Sequence, residues 1–187
     1  HFILEAFPLL STSRFAKNAR DFIFYSAEHN SIAIACIDDE GNGRYTKVRE
    51  KYEWDKTTTP WTLTNERVKG SKWIKTWGAP AYPFPLSLFY TVFDFDKYYV
   101  ICEGEKDALN LNMCGIPAIT LGSTSDAISW DKFLEHLPQG ATPILFFDND
   151  DGGRKAVHGT FDKDGAKKSD GLADILAKHN ITPLIVK

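Results

Sequence analysis

Between residues 98 and 186 four short apolar runs, YYVIC, PAITL, PILFF and PLIV, are separated by stretches with helical spacing. Runs this short, bounded by turn residues, read as strands rather than buried helices. Strands that alternate with helices build βαβ units and a parallel sheet covered on both faces. EKDALNLNMC follows the first run, and Gly115 is placed to end it. SDAISWDKFLEHL follows the second, with Ile128, Phe133, Leu134 and Leu137 on one helical face. A helix through RKAV follows the third run, and SDGLADILAKH precedes the last. Ligands of such sheets bind outside the carboxyl ends of the strands. Glu103 falls at one such end, and Asp148 to Asp151 at another.

The first half obeys a different grammar. SRFAKNAR has the makings of a short helix, after which DFIFYS, SIAIACID and RYTKVREKY alternate as strands do, joined by the turn-rich AEHN and DEGNG. The expected structure is a β-meander to which KWIKTWG adds a further strand, while TTTPWTLTNERVKGS between them has loop chemistry. The change of composition near residue 95 divides the chain into a β-rich subdomain, 1–95, and an α/β subdomain, 96–187. A length of 187 residues suits one generous domain or two small ones sharing an interface.

Charge divides along similar lines. The whole chain carries −3, yet nine cations stand against four carboxylates from Arg44 to Lys75, a local balance of about +5. Tyr45, Tyr52, Trp54, Trp61, Trp73 and Trp77 are interleaved with those cations. Cations follow phosphates and flat rings stack on bases, so the mixture suits a single-stranded nucleic acid; a solvated strand face over a small aromatic core is the plainer alternative. Cys36, Cys102 and Cys114 have neither zinc-ribbon spacing nor an even count, which favours a reducing, cytoplasmic setting. No apolar run approaches membrane-spanning length, so no membrane partner is expected. Opening on His1 rather than methionine, the chain reads as a piece of a longer protein.

The acidic stretches carry the chemistry. In VICEGEKDAL, Glu103 opens the turn after a strand and Asp107 lies four residues on, within reach if a helix begins promptly. In PILFFDNDDGGRKA, Asp148 and Asp150 share an extended direction at period two. Like charges this close repel and raise one another's pKa, so they need either water or a cation. Hard oxygen ligands at a strand end match Mg²⁺, which keeps several waters and bridges to substrate phosphates. Gly104, Gly152 and Gly153 allow close backbone approach, and Arg154 and Lys155 stand ready to meet negative charge. Competing readings fit less well. An EF-hand loop counted from Asp148 has its glycine at Gly153 but Gly159 where the bidentate glutamate belongs. A phosphatase of the haloacid dehalogenase type would place threonine or valine where Gly152 stands, and would put the motif on its first strand rather than the third. A surface turn remains the bland explanation of DND taken alone.

Taken together, the two acidic stretches resemble the Toprim family: a strand ending in EG with an acid four residues past the glutamate, then a later strand ending in DxD. VICEGEKDAL and ILFFDNDDGGRKA are similar to the primase branch, bacterial DnaG-type and phage primase–helicase proteins, where the second motif often reads DxDxAGRKA. Topoisomerases of the group typically continue DxDxEG. GIPAITLGS between the motifs is similar to phage primases, and RYTKVREKYEW with SKWIKTWGAPAYPFPLSLF resembles the basic half that precedes Toprim there. The resemblance covers most of residues 30 to 176.

The resemblance implies an RNA-polymerase core of a DNA primase, a nucleotidyltransferase that makes short RNA primers on single-stranded DNA. It implies an α/β Toprim domain with a central parallel sheet flanked by helices, after a smaller β-rich basic subdomain. Glu103 matches the catalytic glutamate, Asp148 and Asp150 the metal-binding pair, and Asp107 an additional acid. The family's further acidic motif falls on KKSDGLADIL, where Asp170 or Asp174 is the match and Asp170 is taken as the metal ligand. Lys47 and Arg49 match a cationic strand that contacts nucleotide or template, and Arg154 matches the arginine of GRK. The implied cofactor is Mg²⁺, or Mn²⁺ in its stead. The implied partners are a single-stranded DNA template, ribonucleoside triphosphates, and a helicase and zinc-binding module outside this chain, in the cytoplasm of a bacterium or phage-infected host. Two other functions remain open on the residues: a Toprim nuclease using the same acids to cut, and a non-catalytic single-strand-binding module.

Overall fold

A computed structural model describes residues 2–29, 31–38, 40–55, 57, 62–76, 79–93, 97–122 and 130–186, with the backbone alone at 2, 5, 50–55, 62–72 and 130–132. The chain begins with helix α1 (Phe2–Ala6), a 3-10 turn at Pro8–Ser11 and helix α2 (Ala16–Arg20). Four antiparallel strands follow in sheet order β1 (Ile23–Ser26), β2 (Ser31–Ile37), β3 (Gly43–Asp55) and β4 (Thr62–Lys75). The expected meander is therefore present. Its β2–β3 turn is built by Asp38, whose Oδ1 accepts the amides of Glu40 (3.0 Å) and Asn42 (2.8 Å) while Gly41 takes φ +85°. An aspartate that closes its own turn and a glycine free to enter the left-handed region explain why DEGNG punctuates the strands.

One expectation is corrected. Of the segment read as loop, residues 62–71 belong to β4, and 58–61 lie outside the described residues. β4 pairs with β3 from Lys47 opposite Lys75 to Asp55 opposite Thr62, through shifts of register on either side of Tyr52. Among the described residues β4 has one neighbour, as the outer strand of its sheet, and an edge strand tolerates the polar residues and glycine that make TLTNERVKG read as a loop.

After helix α3 (Leu86–Val92) come β5 (Tyr98–Cys102), α4 (Glu105–Met113), β6 (Ala118–Ile119), α5 (Trp130–Glu135), β7 (Thr142–Phe146) and α6 (Asp151–His158). A small hairpin, β8 (Thr160–Phe161) and β9 (Lys167–Ser169), precedes α7 (Leu172–Lys178) and β10 (Leu184–Ile185). The hairpin is not among the elements expected from the sequence; its tip is the DKDG turn, with Asp162 Oδ1 accepting the amides of Asp164 and Ala166. β10, β7, β5 and β6 form the parallel sheet in that order. The fold is thus α/β, with a parallel sheet flanked by helices. Of the helix read from SDAISWDKFLEHL, residues 125–129, Ile128 among them, lie outside the described residues.

Alternation along β5 places the core. Val100 and Cys102 face one cluster, where α4 (Ala108, Leu109, Met113) meets the meander residues Ile34, Cys36 and Tyr45. Tyr99 and Ile101 face the other, with Phe133, Val157, Leu172 and Leu176 from the remaining helices. Successive strand side chains point to opposite faces, so a sheet covered on both sides needs every β5 residue apolar. The first cluster runs unbroken from the meander into the parallel sheet. The compositional boundary near residue 95 falls at 94–96, outside the described residues. α4 ends as its sequence suggests: Gly115 takes φ +81°, its amide donates to Asn112 O (2.9 Å), and Ile116 N donates to Leu111 O (3.0 Å). No helix among the described residues is long and apolar enough to cross a membrane.

Candidate active site

From β5 the chain passes through α4 to β6 on one side, then returns through α5 to β7 on the other. The crevice between the carboxyl ends of β5 and β7 is therefore the topological switch point, where open α/β sheets hold their ligands. Cys102 pairs with Phe146 in the β5–β7 register, so the residues just beyond, Glu103 and Asp148, emerge side by side. Asp148 N donates to Glu103 Oε2 at 3.3 Å. Two stretches 45 residues apart in the chain meet here.

The electrostatics are those of an uncompensated cluster. Partial burial raises the Glu103 pKa; the Asp148 amide opposes that, while the charges of Asp148, Asp150 and Asp107 add to it. Asp107 is raised too, by burial first and then by Asp148, with Lys106 opposing. Its carboxylate folds back over the start of α4, 3.2 Å from where a Cβ on Gly104 would stand. Asp150 does double duty. It is the N-cap of α6, with Oδ1 accepting Gly153 N at 2.8 Å, which leaves Oδ2 for another partner. Gly153 has to be glycine, because a Cβ there would lie 2.1 Å from the Asp148 carbonyl oxygen. Asp151 is exposed, and the Arg154 guanidinium (2.5 Å) holds its pKa below the ordinary range.

Arg154 also donates to Asn149 O and Oδ1, so it braces the loop that carries Asp148 and Asp150. Asp170 is ion-paired with Lys178. Asp174 accepts the Gly171 amide (2.9 Å), closing the first turn of α7, and pairs with Lys167, which holds its pKa low. Arg49 is half-buried on β3, opposite Trp73. Lys47 turns inward: its Nζ lies 2.7 Å from Glu105 Oε2 and donates to the Gly122 carbonyl.

Glu105 escaped the sequence reading, as did Tyr45 in the role the structure gives it. Glu105 is 3% exposed, and Tyr45 Oη donates to its Oε1 at 2.8 Å. Burial, then the Glu105 charge, push the Tyr45 phenol far above its ordinary pKa, so it stays a donor. The faint sequence signal is the spacing of Tyr45 and Lys47, which puts a phenol and an ammonium on one face of β3.

Among the described residues no three Asp, Glu, His or Cys side chains stand close enough to enclose a metal ion. The acids instead line an open crevice with hard oxygens, and burial followed by the neighbouring carboxylates raises the pKa of Glu103 and Asp107. That donor set suits a Mg²⁺ ion held by one or two carboxylates and completed by water and substrate phosphate, not a closed protein cage. Beside Asp148 runs a groove of about 540 Å³ whose walls include Phe146, Phe147, Ile185, Val186 and Arg154.

No protein-family model matches the chain, and no curated protein matches it. Among solved structures it is similar to the primase fragment of the bacteriophage T7 primase–helicase protein, at 24% identity and TM-score 0.46, over 71% of this chain and 48% of that one. It is also similar to the zinc-binding and RNA polymerase domains of the Aquifex aeolicus primase (16% identity, TM-score 0.47, 82% and 36% covered). A third is the RNA polymerase domain of Mycobacterium tuberculosis primase DnaG (15%, TM-score 0.46, 81% and 51% covered). The chain spans about half or less of the length of each. Likenesses of this depth carry no function across.

Proposed function

We propose that this chain is the catalytic core of a Toprim-type DNA primase, joining ribonucleotides along a single-stranded DNA template. The observation that carries the reading is the meeting of Glu103 with Asp148 at the switch point, with Asp107 and Asp150 close enough to raise the Glu103 pKa. A purely structural site would pair such charges; these are left facing one another.

In this reading Asp148 and Asp150 would hold Mg²⁺, which would supply positive charge against the triphosphate and the reacting phosphate. Asp170, held among the described residues by Lys178 alone, would be the third acid once released from that exposed pair, whereas Asp174 serves both the Gly171 amide and Lys167. Glu103, its pKa raised by burial and neighbouring charge, is a stronger base than an ordinary carboxylate and takes the proton from the attacking 3′-hydroxyl. The hydroxyl oxygen bonds to the α-phosphorus, the bond from that phosphorus to the β-bridging oxygen breaks, and pyrophosphate leaves. Asp107 adds negative charge that keeps the cation in the crevice. Arg49 on β3 guides template and nucleotide, and Arg154 fixes the DxD loop. A helicase and a zinc-binding module act from outside this chain.

Incubation with single-stranded template, Mg²⁺ and labelled ribonucleotides tests the reading. Short RNA that accumulates only with Mg²⁺ and disappears in Glu103→Gln is the expected result. Shortened template without RNA points instead to a nuclease, and template binding without either reaction to a non-catalytic module.

A further inference from the structure

Glu105 lies two residues from Glu103, yet it points the opposite way, into the meander, and each of its carboxylate oxygens has a partner. Tyr45 Oη donates to Oε1 at 2.8 Å, and the Lys47 ammonium stands 2.7 Å from Oε2. Lys47 also donates to the Gly122 carbonyl. The same loop holds the catalytic turn from the other end: Thr120, 1% exposed, donates through Oγ1 to the Glu103 carbonyl (2.9 Å) and accepts the Gly122 amide (3.0 Å). These bonds close a ring. It runs from the Glu103 carbonyl to Thr120, to Gly122, to Lys47, to Glu105, and back through Gly104. There is no slack in it: a Cβ on Gly122, at φ +71°, would lie 2.2 Å from Glu105 Oε1 and 2.3 Å from Tyr45 Oη.

A buried ion pair adds little stability over an apolar pair of the same shape, and its best-attested use is to fix register. We infer that Glu105 is a positioning residue: clasped by Tyr45 and Lys47, it locks the Glu103–Gly104 turn onto the basic strand so that Glu103 faces Asp148. Lys47 belongs to this clasp rather than to the phosphate-contacting surface. The inference rests on the primase reading for its consequence, and on the ring of bonds for its geometry.

The test uses the whole chain with Glu105→Gln, Lys47→Met and the double variant, and three readouts. Mn²⁺ titration followed by electron paramagnetic resonance should show affinity about tenfold or more weaker in each single variant, as for other groups that orient metal ligands. The double variant should be no weaker than the singles. Primer synthesis should lose kcat by a similar factor with ribonucleotide KM unchanged. Hydrogen exchange should quicken at the amides of Ala108 and Gly122 and not at Arg154. Should Glu105→Gln fail to fold, Tyr45→Phe removes one bond of the ring and should weaken Mn²⁺ by about two- to tenfold. Faster exchange with unchanged Mn²⁺ affinity would overturn the positioning role, leaving Glu105 merely structural. Weakened Mn²⁺ binding in a chain that makes no RNA even as wild type would keep the clasp and overturn the primase reading. Absence of Mn²⁺ binding by the wild type overturns both.

Discussion

Glu103 and Glu105 are two residues apart and receive opposite treatment. Glu105 is buried deeply and given a phenol and an ammonium. Glu103 is half-buried, given one long amide bond, and set among three further carboxylates. The contrast separates a charge that holds the fold together from one left without compensation for a ligand to supply. It also relates the two halves of the molecule, because the meander provides the partners of one glutamate and the parallel sheet the neighbours of the other.

The largest way to break the contrast is to exchange the uncompensated charges. Glu103→Gln and Asp148→Asn should each lower primer synthesis by about 100-fold or more, while single-stranded DNA affinity, measured by fluorescence anisotropy, stays at the wild-type value. Equal loss of DNA binding would move these acids from the chemistry to the fold.

Next is the backbone that sets the acids in place. Gly153→Ala drives a methyl into the Asp148 carbonyl and should destabilise the protein by about 1–3 kcal/mol in urea unfolding. Gly152→Ala, whose Cβ would meet only the Asp150 side chain at 3.2 Å, should cost much less.

The third effect is on pH dependence. Glu103 and Asp107 have pKa values raised above their ordinary 4.5 and 3.8. The native state therefore keeps protons that the unfolded chain has released, and unfolding free energy contributed by these groups falls as pH rises through the raised values. Metal-free protein should accordingly lose stability as pH rises above the ordinary carboxylate range, Mg²⁺ should restore it near neutrality, and Glu103→Gln should flatten both responses in thermal melts. A metal-free stability that instead climbs across that window would contradict the account. The smallest effect belongs to the periphery: Lys178→Ala frees Asp170 from an exposed ion pair and should leave the melting temperature unchanged, whereas Asp170→Asn should weaken Mn²⁺ binding less than Asp148→Asn does.

What could be read from the chain follows from how local its causes are. β5, β7 and the end of α4 are written in short apolar runs and a single glycine, so they were legible. So was the partnership of Glu103 with Asp148, since two strand ends in a parallel sheet have few places to go. β4 was not, because its polar, glycine-containing sequence is tolerated only at a sheet edge, and edges are decided by tertiary pairing. The β8–β9 hairpin is too short to leave a periodic signal. The Glu105 clasp was invisible for a simpler reason: its tyrosine stands sixty residues upstream. An acid in the first turn of a helix ordinarily faces water.

The most direct test of the central claim is Mn²⁺ titration of the wild type, Glu103→Gln, Asp148→Asn and their double variant by electron paramagnetic resonance. If the two strand ends grip one ion together, each single variant weakens the same site and the double variant falls short of the sum of their effects. Wild-type affinity in either single variant, or strictly additive losses, would show that Glu103 and Asp148 do not share a cation.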